Sequence, residues 1–353
     1  MISAFSFKRI SLLLLCLLSL SFSAPSVRSN NPDNKKLNEF SVLKKVEWAK
    51  PDGVSLTMDI YTPKCSKSKC PVLVIFHGGG WLINNNSVMD SMSTYIVQHG
   101  DYIVCNVNYR LLGDNNNITT MNQMIEDAMG AVLWIKEHIA QYGGDSSKIV
   151  VTGDSAGGHL AAMILLGSDK LESDGFGGHS LGYKPTYLPA GKTPEYIKAE
   201  KALDVQGAIL SYPALDIYST CLGDFESPNN FFWKMAGKTP RGIFLDTINI
   251  KNHPEYYKSV SPIYNIPKAS ERSLPPQLCL VGSKDNLITP ASVQKYADLM
   301  AAAGHKVQVW VHEGRPHAFL DSWKNTYLGT EFRKDAPPAL DKILEFMNNL
   351  FQN

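Results

Sequence analysis

Lys148-Ile149-Val150-Val151-Thr152-Gly153-Asp154-Ser155-Ala156-Gly157-Gly158-His159-Leu160-Ala161-Ala162-Met163-Ile164-Leu165-Leu166 is the stretch that decides the fold. Its first five residues read as a short buried strand, and Gly158 to Leu166 as an apolar helix packed back on it. Between them lies Gly153-Asp154-Ser155-Ala156-Gly157. A serine at so sharp a strand-to-helix turn has its hydroxyl forced out of the fold and into reach of a substrate. The glycines have a steric task, because a side chain there blocks the close approach of strand and helix around the strained serine. By composition alone such a pentapeptide arises in roughly one chain in ten of this length, so its surroundings carry the argument.

On the N-terminal side, Val42 to Ala49 reads as a strand. Val54, Leu56, Met58 and Ile60 alternate with polar residues, as in a half-buried strand. Pro71 to Phe76 is a continuous apolar run, as in a strand buried on both faces, and Tyr102 to Val107 reads as another buried strand. Ser87 to His99 and Met121 to Tyr142 carry helical spacing, the second stopped by Gly143-Gly144. On the C-terminal side, Val205 to Leu210, Leu278 to Val281 and Val307 to Val311 read as strands. Ala291 to Ala303 reads as a helix, and Pro337 to Phe351 as a closing amphipathic helix with Ala339, Ile343, Phe346 and Leu350 on one face. The fold class is therefore α/β, a mostly parallel sheet with helices on both faces. Segments 167–202 and 213–262 break the rhythm. They are rich in Gly, Pro and aromatic residues and are expected near the carboxyl ends of the strands, as a cap or pocket wall.

The N-terminus is different in kind. Lys8 and Arg9 precede the apolar run Ile10 to Phe22, which is too short to span a bilayer comfortably. Residues 1–23 read as a secretory signal, cleaved after Ser23 or, as the other option, Ser29. An uncleaved anchor is the alternative. Residues 24–41 read as a flexible leader, and 42–353 as one catalytic domain. The protein is thus expected to be secreted or periplasmic, without stable membrane insertion after cleavage. Net charge is +1, from 34 basic and 33 acidic residues, which points away from nucleic acid as a partner. Of six cysteines, Cys16 lies in the signal. Cys65 and Cys70 flank a polar loop and are a candidate disulfide pair. Cys105 and Cys279 sit in apolar runs and read as buried and inert, and Cys221 is unplaced. No Cys/His cluster suggests a metal, and no cofactor is called for.

Nucleophilic catalysis by serine needs a base, a carboxylate to orient it, and donors for an oxyanion. His77-Gly78-Gly79-Gly80-Trp81 follows the strand ending at Phe76, and its bare backbone N–H groups can approach a substrate oxygen closely. Gly79 and Gly80 are the expected donors, with the Ala156 amide as the third. His77 reads as an anchor of that loop. Asp285 follows the penultimate strand and is the expected acid, with Asp216 as runner-up. His317 follows the last strand, and its ordinary pKa near 6.5 suits a general base. His159 is expected to pack or bond beneath the glycine loop, and Arg110 and Asp127 to form a buried structural ion pair.

These residues together resemble the α/β-hydrolases of the hormone-sensitive-lipase-like carboxylesterase group. The pattern is similar to bacterial secreted esterases of the acetylxylan and feruloyl type. The carriers are His77 to Trp81, Asn108-Tyr109-Arg110, Gly153 to Gly158, Asp285 and His317. The resemblance implies Ser155 as nucleophile, Asp285 as acid and His317 as base, with a short-chain or carbohydrate-linked (acetyl or feruloyl) ester as substrate. Two other readings of the same residues are a peptidase or amidase on this fold and a non-catalytic ligand-binding protein built on it.

Overall fold

The computed structural model describes residues 37–64, 69–177 and 180–351. Eight strands form one sheet: β1 (Phe40–Ala49), β2 (Leu56–Pro63), β3 (Cys70–Phe76), β4 (Ile103–Val107), β5 (Gly144–Asp154), β6 (Gly207–Ser211), β7 (Gln277–Gly282) and β8 (Val307–His312). Their order is β1-β2-β4-β3-β5-β6-β7-β8. From β4 to β8 every neighbouring pair is parallel. β1 and β2 form an antiparallel margin that joins β4. Chain order reverses at β3, whose neighbours are β4 and β5. A sheet of this kind opens a crevice beyond the carboxyl ends of its strands at such a reversal. The glycine loop leaves β3 there, and the serine turn leaves β5.

Residue type explains the layers. β3, β4, β6 and β7 are buried at every position, as strands covered on both faces are. β8 is one of the two edge strands, and Val311 is left exposed on it. The helix after the serine turn, Ala156–Gly167, is buried along its whole length. The helix Met121–His138 opens where Gln123 Oε1 accepts the Thr120 amide at 2.9 Å. A short 3₁₀ turn follows it and stops at Gly143, which takes the left-handed conformation that glycine tolerates. The closing helix, Pro337–Phe351, buries Ala339, Leu340, Ile343 and Met347 on one face. Full burial of each such large side chain favours folding by roughly 1.5–3 kcal/mol.

Three local expectations change. β1 begins at Phe40 rather than Val42. The polar positions of β2 are not solvated: Asp59 and Tyr61 are buried, because Lys44 Nζ donates to both, at 2.9 and 3.0 Å. A 3₁₀ turn, Asn86–Met89, precedes the helix Asp90–His99, where one helix from Ser87 was expected.

The two long inserts occupy different places. The 213–262 segment leaves the carboxyl end of β6. The 167–202 segment instead starts at the far end of the serine helix and returns to the start of β6, so it enters from the amino-end side. It packs along the helix Met121–His138, where the Thr186 amide donates to Glu126 O at 3.0 Å. It meets the other insert through Phe176, which stacks on Phe244 at 5.4 Å.

Arg110 and Asp127 form the buried ion pair. Nε and Nη2 of Arg110 donate to the two carboxylate oxygens at 2.9 and 2.7 Å, and the Arg110 amide adds a third bond at 3.0 Å. Cys105, Cys221 and Cys279 are free and buried, and Cys70 is disulfide-bonded. Cys65, Cys16, the expected signal segment and the expected leader as far as residue 36 lie outside the described residues. Among the described residues no helix is long and apolar enough to cross a membrane.

Candidate active site

Ser155 caps the serine helix with φ 52° and ψ −114°, a conformation an L-residue adopts only when its surroundings impose it. The glycines are what permit it. A Cβ on Gly157 would collide with the Phe76 carbonyl, and one on Gly153 with the Gly157 backbone. Both backbone groups of Ser155 are held by the end of β6 and the residues just after it: its N–H donates to Ser211 O at 2.9 Å, and its C=O accepts the Ala214 N–H at 3.1 Å. The hydroxyl is therefore aimed by backbone from three strands.

Oγ of Ser155 lies 3.0 Å from Nε2 of His317, and Nδ1 of His317 lies 2.7 Å from Oδ2 of Asp285. The Asp285 side chain is fully enclosed. Its other oxygen accepts the amides of Leu287 and Ile288, each at 2.9 Å, which fixes the carboxylate in place. The three side chains come from the ends of β5, β7 and β8, 162 and 32 positions apart. Asp216 is not part of this line. It caps a short helix, Ile217–Gly223, accepting the Ser219 amide at 3.0 Å and the Ser219 hydroxyl at 2.8 Å.

The glycine loop lies against the serine turn. Gly78 N–H donates to Asp154 Oδ1 at 2.7 Å. Gly79 and Gly80 both have positive φ, 126° and 57°. Among the described residues, the amides of Gly79, Gly80 and Ala156 donate to no group of the protein. His77 is held away from the serine: its ring stacks on Tyr109 at 4.5 Å and its Nδ1 meets Gly78 O at 2.8 Å. Burial pulls its pKa down to about 4, so it is neutral at neutral pH. His159 accepts from Trp81 Nε1 at 3.1 Å, and its Nε2 donates to Val260 O at 2.7 Å. Burial lowers its pKa to about 4 as well.

Two contributors were not singled out in the sequence. Tyr212 sits directly after β6 with φ 37° and sets its ring edge-on to His317 at 4.7 Å. Its only sequence signal is its place before Pro213, where a strand must stop. Asp154 was read only as part of the turn, yet its carboxyl joins the turn to the glycine loop. A polar cavity of about 530 Å³ lies behind that loop, lined by Lys44, Asp59, Asn86 and Asp90 among others. Lys44 pairs there with both carboxylates, and Ser155 does not face it. Among the described residues no group of three or more His, Cys, Asp or Glu is placed to hold a metal ion.

Sheet order, strained serine turn and the Ser155–His317–Asp285 line define the class as an α/β-hydrolase. The BD-FAE family model matches residues 58–300, most of the sheet and both inserts, and the chain belongs to that family. The chain is similar to a probable isoprenylcysteine alpha-carbonyl methylesterase, ICME, of Oryza sativa subsp. japonica. The two are 23% identical over 260 residues, 74% of this chain and 54% of the relative. It is 31% identical over 177 residues to carboxylesterase NlhH of Mycobacterium tuberculosis, covering 47% of this chain and 53% of that one. The chain thus spans about half the length of these curated relatives. Among solved structures, the apo form of Thermogutta terrifontis esterase 2 shares the fold with a TM-score of 0.60 at 23% identity, covering 89% of this chain and 95% of that one. A truncated form of a carbohydrate esterase from gut microbiota shares it at 0.64 and 18% identity, over 89% and 97%.

Proposed function

We propose that this protein is a serine carboxylic ester hydrolase working through an acyl-enzyme. The observation that carries the reading is the hydrogen-bonded line from Asp285 through His317 to Ser155, beside three backbone amides that find no acceptor among the described residues. In this reading Ser155 Oγ attacks the ester carbonyl carbon while His317 Nε2 takes its proton. Asp285 holds the imidazole in the tautomer with Nδ1 protonated and stabilises the imidazolium. The amides of Gly79, Gly80 and Ala156 donate to the oxyanion as the carbonyl oxygen gains charge. The C–O bond to the alcohol then breaks, and His317 returns the proton to the leaving oxygen. Water, deprotonated by the same nitrogen, attacks the acyl carbon and releases the acid and free Ser155. No step calls for a cofactor.

The substrate reading is a short-chain or carbohydrate-linked ester, acetyl or feruloyl, in keeping with the family and with the carbohydrate esterase of the same fold. The 213–262 insert is the pocket wall and the 167–202 segment its buttress. Residues 1–23 direct the protein to a secreted or periplasmic location. Ser155→Ala tests the core of the reading. Hydrolysis of p-nitrophenyl acetate is expected to fall by about 10⁴-fold or more with the thermal midpoint preserved. Activity within tenfold of wild type would overturn the assignment.

A further inference from the structure

One aromatic pair beside the glycine and histidine loops has no part in the chemistry above. The helix Phe231–Ala236 in the 213–262 insert is anchored from beneath by Trp233, which is fully buried and donates from Nε1 to Phe225 O at 2.9 Å. Its first two residues face elsewhere. The Phe232 ring lies on the glycine loop, so close that a Cβ on Gly80 would come within 2.5 Å of it. Phe231 is set edge-on to Phe232 at 5.6 Å and is half exposed, at 49%.

Across from it stands Tyr327, at the tip of a hairpin made by β9 (Lys324–Asn325) and β10 (Thr330–Glu331). Tyr327 is 81% exposed, yet its ring stacks on Phe231 at 5.8 Å with planes 12° apart. The hairpin is tied to the histidine loop, where Thr330 Oγ1 lies 3.5 Å from the carbonyl of Ala318, the residue after His317. The stacked pair therefore runs from a segment resting on the glycine loop to a segment resting on the histidine loop. These are the two loops that flank Ser155.

Contact between the two rings removes part of their apolar surface from water, yet Phe231 and Tyr327 stay 49% and 81% exposed, so wide ring faces remain open. The Phe231 side chain carries no polar atom, so a ring laid on these faces is met by shape and polarisable surface. We propose that Phe231 and Tyr327 are specificity-determining residues that stack on a flat, apolar-faced ring carried by the ester, either an aryl ring or a pyranose. This inference rests on the ester-hydrolase reading. The rings select among substrates and leave the chemical step to Ser155 and His317.

Discrimination ratios in kcat/KM test it, with three pairs of substrates: methyl 3-phenylpropanoate over methyl butanoate (an aryl ring on the acid), benzyl acetate over ethyl acetate (an aryl ring on the alcohol), and glucose pentaacetate over glyceryl triacetate (a pyranose). Tyr327→Leu is expected to lower at least one ratio about fivefold, through KM rather than kcat. Tyr327→Phe is expected to restore it, because the ring face is kept and only the hydroxyl is lost. Phe231→Leu should lower the same ratio. The pair that responds identifies the ring and the side of the ester that bears it. If Tyr327→Leu and Phe231→Leu leave all three ratios within twofold of wild type, or if Tyr327→Phe behaves like Tyr327→Leu, the stacking role is overturned while the ester-hydrolase reading stands. If the wild type turns over none of the six esters, the ester-hydrolase reading fails instead.

Discussion

Asp154 places a carboxyl at a junction that water does not reach. One oxygen accepts the Gly78 amide at 2.7 Å. Burial pushes its pKa from an ordinary 3.8 up to about 7, against the pull of the Gly78 amide and of His317. Asp321, four residues past His317, is raised well above its usual range by burial and by Asp154. Tyr212, on the third side, stays neutral because burial and these carboxylates raise its pKa. Between about pH 4 and pH 7 the folded protein holds a proton at Asp154 that the unfolded chain has released. The stability this group contributes is thus fully present below about pH 4 and is lost as pH rises through about 7. Asp154→Asn keeps an acceptor for Gly78 and removes the titration. Its urea midpoint relative to wild type is expected to climb between pH 4.5 and pH 8. Parallel curves for the two proteins would show that Asp154 does not titrate in this way.

At the scale of elements, each residue of the proposed triad sits just past the carboxyl end of a parallel strand. This is why Ser155, Asp285 and His317 are recognisable in order along the chain. Two aspartates follow strands in the β6-to-β8 part of the sheet, and position favours Asp285 without showing what either carboxylate contacts. Asp285 turns both oxygens to work, one on His317 and one on two amides, whereas Asp216 spends its carboxylate on the cap of the helix Ile217–Gly223. Asp285→Asn presents an amide where His317 needs an acceptor. Its kcat on p-nitrophenyl acetate is expected to fall about 10⁴-fold. Asp216→Asn retains a good N-cap and is expected to stay within twofold of wild type in kcat and within a degree or two in thermal midpoint. The reverse ranking would move the acid to β6. Alternation misled at β2, since periodicity reports polarity and not partners: Asp59 is buried because Lys44, on the neighbouring strand, reaches it.

Across the whole molecule, Trp81, His159 and Val260 link three distant stretches: the glycine loop, the serine helix and the end of the 213–262 insert. His159 is able to accept from one and donate to the other only while neutral, and burial keeps it so. Trp81→Phe leaves His159 Nδ1 buried without a donor, which is expected to cost about 1–3 kcal/mol in chemical denaturation. It also frees the glycine loop, so kcat on p-nitrophenyl acetate should fall more than KM rises. Unchanged stability would show that the bond carries no load.

The sequence by itself determined the alternation of strands and helices, the strained turn at Ser155, the glycine run that follows β3, and the order of serine, aspartate and histidine. These are matters of local sterics and of hydrophobic period, and each is written within a few adjacent residues. Only the tertiary structure decided that Asp285 and not Asp216 meets His317, that 167–202 enters from the amino-end side of the sheet, that Asp154 joins two loops, and that Phe231 meets Tyr327 beside the glycine and histidine loops. Each of these depends on contacts between residues tens to hundreds of positions apart, and such contacts are set by how the sheet is ordered and not by any local preference of the chain.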